Sequence, residues 1–176
     1  MEETDKDLRF LSDGIEVLPQ YLSSKNLFWP LGQSATPLTI GNLLFSLRRL
    51  LSKSQDSSVY HDLEQKLDQV KASNRALFQQ KEQEELGSRV REWANSVDDW
   101  QENGADVASL RIDLRNRAVL ELILADLEST DIKTTLQIET IDGKFEKMTE
   151  PGGFIWEEGL EKGFQREPFW FLWRKK

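Results

Sequence analysis

The sequence predicts a mainly α-helical fold: a helical bundle built on a long αα-hairpin, with a small C-terminal β-hairpin and an aromatic tail. Three observations carry this expectation. The stretch from Val59 to Glu102 contains no Pro and only Gly87, and it is rich in Glu, Gln, Lys and Leu, all good helix formers. Between Ala118 and Leu127 the apolar residues leave almost no polar face, the mark of a buried helix. Charged residues make up 31% of the chain and apolar residues 38%, which suits helices with one solvated side. A disordered chain would not carry 9 Phe, 6 Trp and 2 Tyr.

Residues 5–12 give a turn or two of helix, with Leu8 and Leu11 on one face. Ser12-Asp13 ahead of Gly14 caps a second short helix, Ile15 to Leu22, which Pro19 kinks or ends. Asn26 to Gly32 crowds apolar side chains without a period, so it is a packed loop. Thr39 caps a helix through Ser52, whose Leu43, Leu44, Leu47, Leu50 and Leu51 form a wide stripe beside Arg48 and Arg49. Ser52 to Ser58 is a polar connector, with Ser57 or Ser58 as the next cap.

In the long stretch, Tyr60, Leu63, Leu67, Val70, Asn74 and Leu77 make a heptad-like seam. Gln79 to Glu85 is entirely polar, and apolar residues resume at Leu86, Val90, Trp93, Val97 and Trp100. At ~100° per residue the second stripe is rotated by roughly 140° from the first. One straight helix cannot bury both against a single neighbour. The expectation is one helix over 59–102, helical through Gln79–Glu85, with any kink near Gly87. Tyr60, Leu63, Leu67, Val70 and Leu77 are then left for a second copy, which makes the chain a homodimer.

Asn103-Gly104 stops that helix, and Asp106 caps the next, to about Glu128. Leu110 to Arg115 alternates like a strand, but the apolar segment runs on without a turn signal, so helix is preferred. Leu136–Ile141 and Lys144–Thr149 flank Asp142-Gly143 as in a two-residue hairpin, although that register opposes Glu139 to Glu146. Pro151-Gly152-Gly153 is a break. Phe154 to Phe164 is a short helix or an ordered loop, and an aromatic tail follows to Lys176. The chain reads as a helical domain, 1–128, carrying an aromatic-rich appendage, 129–176, packed on it as a single domain overall.

Composition narrows the function classes. Without Cys and with His61 alone, there is no disulfide framework, zinc finger or thiol catalysis. A net charge of −8 argues against a general nucleic-acid partner. No apolar run approaches the ~18 residues of a membrane span, and the N-terminus has no basic-then-apolar leader, so a cytoplasmic location is expected. No cofactor is called for.

Four sets of side chains carry potential chemistry. The first is the aromatic tail, where Trp156, Trp170 and Trp173 could line a ligand pocket or a docking surface. The simpler reading is that they cover a hydrophobic face of the helices. A membrane-surface anchor would need more cations than Arg174, Lys175 and Lys176. The second set is Arg111, Arg115 and Arg117, of which Arg111 and Arg115 share a helix face and could clamp a phosphate or carboxylate, or pair with Asp98, Asp99 or Asp106. His61, beside Asp62 and one turn before Glu64, could act as a base or ligand but reads more simply as an exposed helix residue. The fourth set is Glu82, Glu85, Asp99 and Glu102. As Glu-x-x-Glu and Asp-x-x-Glu they could hold Mg²⁺ over a diphosphate.

That last spacing loosely resembles the ExxE…ExxD pattern of the all-α nucleotide pyrophosphohydrolases, over residues 82–102 alone and with the second pair in reversed order. The resemblance implies a Mg-dependent hydrolase. On one unbroken helix, however, the two pairs lie about 25 Å apart, and a solvated helix face explains them more simply. The function expected from the sequence is therefore a helical interaction or scaffold protein without catalytic activity. The alternative is the Mg-dependent hydrolase or a small-ligand-binding protein.

Overall fold

A computed structural model describes residues 3–54, 57–104 and 106–176. Met1 and Glu2 of the N-terminal segment, Gln55 and Asp56 of the polar connector, and Ala105 after the helix stop lie outside the described residues. The described chain is mainly helical: α1 Glu3–Ser23, α2 Ile40–Lys53, α3 Ser58–Ser73, α4 Arg75–Asn103, α5 Val107–Asp126 and α6 Ile132–Met148. A two-stranded antiparallel sheet, β1 Glu150–Pro151 with β2 Arg174–Lys175, closes the C-terminal part. The chain forms two compact units, one ending at Glu85 and one beginning at Leu86.

In the first unit, residues 5–22 form one helix rather than two. Leu8, Leu11, Ile15, Leu18 and Leu22 step by three and four, so a single stripe runs through the expected boundary. Pro19 stays inside α1 on its exposed side. Gly14 is buried where α1 meets α2, and a Cβ there would come within 2.7 Å of Leu43 Cδ2. Thr39 caps α2 as expected, accepting the Asn42 N–H at 3.1 Å. The apolar loop between these helices is closed by paired backbone hydrogen bonds of 3.1 and 2.8 Å between Trp29 and Leu38.

The expected 59–102 helix is broken at Asn74. Its backbone (φ −129°, ψ 30°) leaves the helix, and its side-chain amide donates to the Val70 carbonyl at 2.9 Å. Asn competes for backbone groups in this way, which is why it favours helix ends. Gln79–Glu85 does stay helical, inside α4. The seam ahead of the break is covered by the chain itself. Leu63 and Leu67 are buried in the same core as Leu11, Leu18 and Leu43, and Tyr60 and Val70 pack against it. Leu77 is left partly exposed. The premise of an uncovered seam awaiting a second copy therefore does not hold.

In the second unit, the end of α4 and α5 lie antiparallel as an αα-hairpin. Asn116 clamps the pair, accepting from Arg89 Nη1 at 3.0 Å and donating to the Arg89 carbonyl at 3.1 Å. The hairpin expected around Asp142-Gly143 is replaced by α6. Ile138, Ile141 and Phe145 bury one face at helical spacing, and Asp131 caps the helix by accepting the Thr134 N–H at 2.9 Å. The small sheet instead joins the residue pairs Glu150–Lys175 and Pro151–Arg174. Arg174 then reaches back to the end of α6, donating to the Glu146 and Thr149 carbonyls at 2.7 and 2.6 Å.

Candidate functional site

The tail's rings form one connected series. From the buried Trp93, contacts pass to Phe145 at 5.3 Å, Trp170 at 6.0 Å and Phe171 at 6.0 Å. They continue through Phe169 and Phe164 to Trp156, Phe154 and Trp173. Phe164, Phe169 and Phe171 are buried, so this part of the tail covers the helices. The far end does not. Phe154, Trp156 and Trp173 are only half-buried.

Backbone pairing places these three rings. Gly152 N–H donates to the Trp173 carbonyl at 2.8 Å and Ile155 N–H to the Leu172 carbonyl at 2.9 Å, which lays the two segments side by side. Phe154 and Trp173 then meet at 5.3 Å, and Trp156 stands at 80° to Phe154. The Trp156 indole N–H donates to the Arg111 carbonyl at 3.2 Å, tying the rings to α5. Next to Arg111, Ile112 is 71% exposed. Trp156 thus lies against exposed Arg111 of α5 and is followed in the chain by exposed Glu157 and Glu158.

Of the five residues chosen from sequence as ligand-binding, the structure gathers Trp156, Trp173 and Arg111. Trp170 lies elsewhere, against Phe145 and under the Arg174 guanidinium, 5.9 Å from its ring centre. Arg115 is half-buried one turn further along α5. The acids offered to these arginines are engaged otherwise. Asp98 pairs with Lys144 at 2.8 Å, Asp99 accepts from Asn103 at 2.7 Å, and Asp106 caps α5 by accepting the Ser109 N–H at 2.8 Å. That cap holds the Asp106 carboxyl below its ordinary value.

The carboxylate quartet is divided by environment. Glu82 and Glu85 are fully buried, whereas Asp99 and Glu102 are exposed. Glu85 accepts the Thr39 hydroxyl at 2.7 Å and the Gly41 N–H at 2.8 Å, so it holds the start of α2. Among the described residues no group of three or more His, Asp or Glu side chains could hold a metal ion. His61 is exposed, with Nδ1 3.2 Å from Glu64 Oε2.

Two arrangements escape sequence reasoning. Lys81, in the segment taken as polar, is 3% exposed. Its ammonium donates to the Ser24 and Asn26 carbonyls at 2.9 and 2.8 Å and lies 4.9 Å from the Tyr21 ring centre. Arg117 is buried and grips Asp142 with Nε at 3.0 Å and Nη2 at 2.8 Å, and Glu121 with Nη1 at 2.8 Å. Trp93 donates to the same Asp142 at 2.9 Å, and the guanidinium sits 4.6 Å from the Phe171 ring centre. Burial pulls the Arg117 pKa down, but the hydrogen bonds and charge of Asp142 outweigh it and the net shift is upward. Both arrangements hold elements together. A small cleft lined by Trp100, Leu110, Phe145, Met148, Thr149 and Lys176 has room for about one water molecule, too little for a ligand.

No family model, curated protein or solved structure matches the chain. No helix among the described residues is long and apolar enough to cross a membrane.

Proposed function

We propose that this chain is a helical interaction protein without catalytic activity, and that it docks a partner on the ledge of Ile112, Phe154, Trp156 and Trp173. One observation carries the proposal: Phe164, Phe169 and Phe171 of the tail are buried, yet Phe154, Trp156 and Trp173 stay half-open, with Trp156 tied to α5 at exposed Arg111. Apolar area withdrawn from water stabilises a complex by roughly 25 cal/mol per Å², and aromatic anchors dominate such contacts. The ledge is also preformed. The Trp156 hydrogen bond and the paired segments fix its rings, so little ordering cost remains on binding. A Cys-free chain asks for no oxidising compartment, which suits a cytoplasmic location.

A photo-crosslinking side chain placed at Ile112 in the full-length protein tests this in cells. The expected outcome is a discrete adduct at Ile112 and none from the same group at Gln137, an exposed position on α6. Equal, diffuse labelling at both positions would refute the docking ledge.

A further inference from the structure

We propose that Asn103 is a site of spontaneous deamidation, and that the carboxylate formed there loosens the last turn of α4. Of the chain's Asn residues, Asn103 alone is followed by Gly. The reaction is intramolecular. The Gly104 amide nitrogen gives its proton to water and attacks Cγ of the Asn103 side chain. The N–Cγ bond forms, the Cγ–Nδ2 bond breaks, and Nδ2 leaves as ammonia with a proton taken from solvent, closing a cyclic imide. Water then opens either imide carbonyl, giving aspartate or its backbone-shifted isomer, isoaspartate, at position 103. Nothing is oxidised or reduced, and water is the only co-reactant.

Gly at the attacking position places no Cβ in the way and lets the backbone turn toward the side chain. The fold keeps Gly there, because Gly104 closes α4 in the left-handed region with φ 78°. Both residues are exposed. Two hydrogen bonds hold the pair, from Gly104 N–H to the Trp100 carbonyl at 3.0 Å and from Asn103 Nδ2 to Asp99 Oδ1 at 2.7 Å. They belong to the terminal turn of a helix, where opening costs least. Asp142-Gly143 differs, since it lies inside α6 and the Asp142 carboxylate is gripped by Arg117 and Trp93.

The product is at odds with its surroundings. Where Nδ2 donated to Asp99, a carboxylate oxygen would face a carboxylate at the carbonyl end of α4. Like charges four residues apart weaken a helix, and so does negative charge at its C-terminus. The isoaspartate isomer also lengthens the main chain by a methylene, which disrupts the spacing of the helical hydrogen bonds.

Peptide mapping of the purified full chain, kept folded at neutral pH and body temperature, tests the assignment. Cleavage after Arg91 and Arg111 leaves Asn103 in one peptide with Asn95, which is also exposed but lies inside α4 and is followed by Ser. The mass shift from amide to acid should appear at position 103 about tenfold faster than at position 95. Asn103→Gln, which must close a larger ring, should stay unmodified. Hydrogen exchange reads the consequence. Asn103→Asp installs the charge directly and should lower the protection of the Gly104 N–H by about threefold, after correction for its intrinsic rate. Asn103→Ala removes the same hydrogen bond without adding charge and should lower it less. Modification at position 103 no faster than at position 95, or equal protection in Asn103→Asp and Asn103→Ala, would overturn the proposal.

Discussion

Glu85 has no water to solvate it, and its two oxygens are instead matched by a hydroxyl and a backbone N–H at the start of α2. Glu85→Gln keeps an acceptor for the Gly41 N–H but removes the charge that strengthens both bonds and forces the Thr39 hydroxyl to turn from donor to acceptor. A loss of about 1–3 kcal/mol is expected in urea unfolding. The Arg117–Asp142 pair allows a sharper measurement. Arg117→Met strands a carboxylate that two guanidinium nitrogens and an indole now satisfy, and it should cost about 3–5 kcal/mol. Combining it with Asp142→Leu should recover part of that loss, since the stranded carboxylate goes with its partner while the Trp93 indole N–H and Glu121 still lose theirs. If the double variant is as unstable as the sum of the singles, the network contributes packing rather than paired charge.

Among the elements, two of the three departures from sequence expectation share a cause: a local signal outweighed by burial of one face. Asp-Gly favours a tight turn, yet turning at Asp142 would remove Ile138, Ile141 and Phe145 from a common face and take Asp142 from Arg117. The helix keeps both. Asp131→Ala removes the N-cap that starts it and should lower the thermal unfolding midpoint. In α1 the fitted position is Gly14. Gly14→Val would force its branched side chain against Leu43, and a loss of about 2 kcal/mol is expected despite the gain in helix propensity over Gly. At Asn74 the opposite happened: a single cap-forming residue ended a helix whose neighbours on both sides are good helix formers.

For the molecule as a whole, acid response separates into two opposed groups. Burial raises the carboxyl of Asp7, despite Arg49 3.0 Å away, and that of Asp113, despite hydrogen bonds from Ser96 and Trp100. Groups raised in the folded state bind more protons than in the unfolded chain, so their contribution to stability falls as pH rises through the range just above 3.8. The caps Asp106 and Asp131 are lowered by their hydrogen bonds from Ser109 and Thr134. Their contribution is present above 3.8 and is lost as pH falls through their folded values. Asp7→Asn with Asp113→Asn should therefore flatten the decline in stability just above pH 3.8, while Asp106→Asn with Asp131→Asn should reduce the loss on further acidification. Unfolding midpoints taken in half-unit pH steps read both slopes, and a profile unchanged by the first pair would show that neither carboxyl titrates out of its ordinary range.

By itself the sequence determined the helical class, the caps at Thr39 and Asp106, the αα-hairpin around Asn103-Gly104 and the covering role of the tail rings Phe164, Phe169 and Phe171. Each follows from propensity, periodicity or a cap acting within a few residues. It also supplied Trp156, Trp173 and Arg111 as candidates, but not their meeting. Tertiary structure alone decided which neighbour covers the α3 seam, that Lys81, Glu82 and Glu85 go inside, and that Asp142 serves a buried arginine. Those outcomes depend on what approaches from distant parts of the chain, and a charged side chain at a helical position reads as solvated until a carbonyl, a hydroxyl or an opposite charge is brought within hydrogen-bonding distance of it.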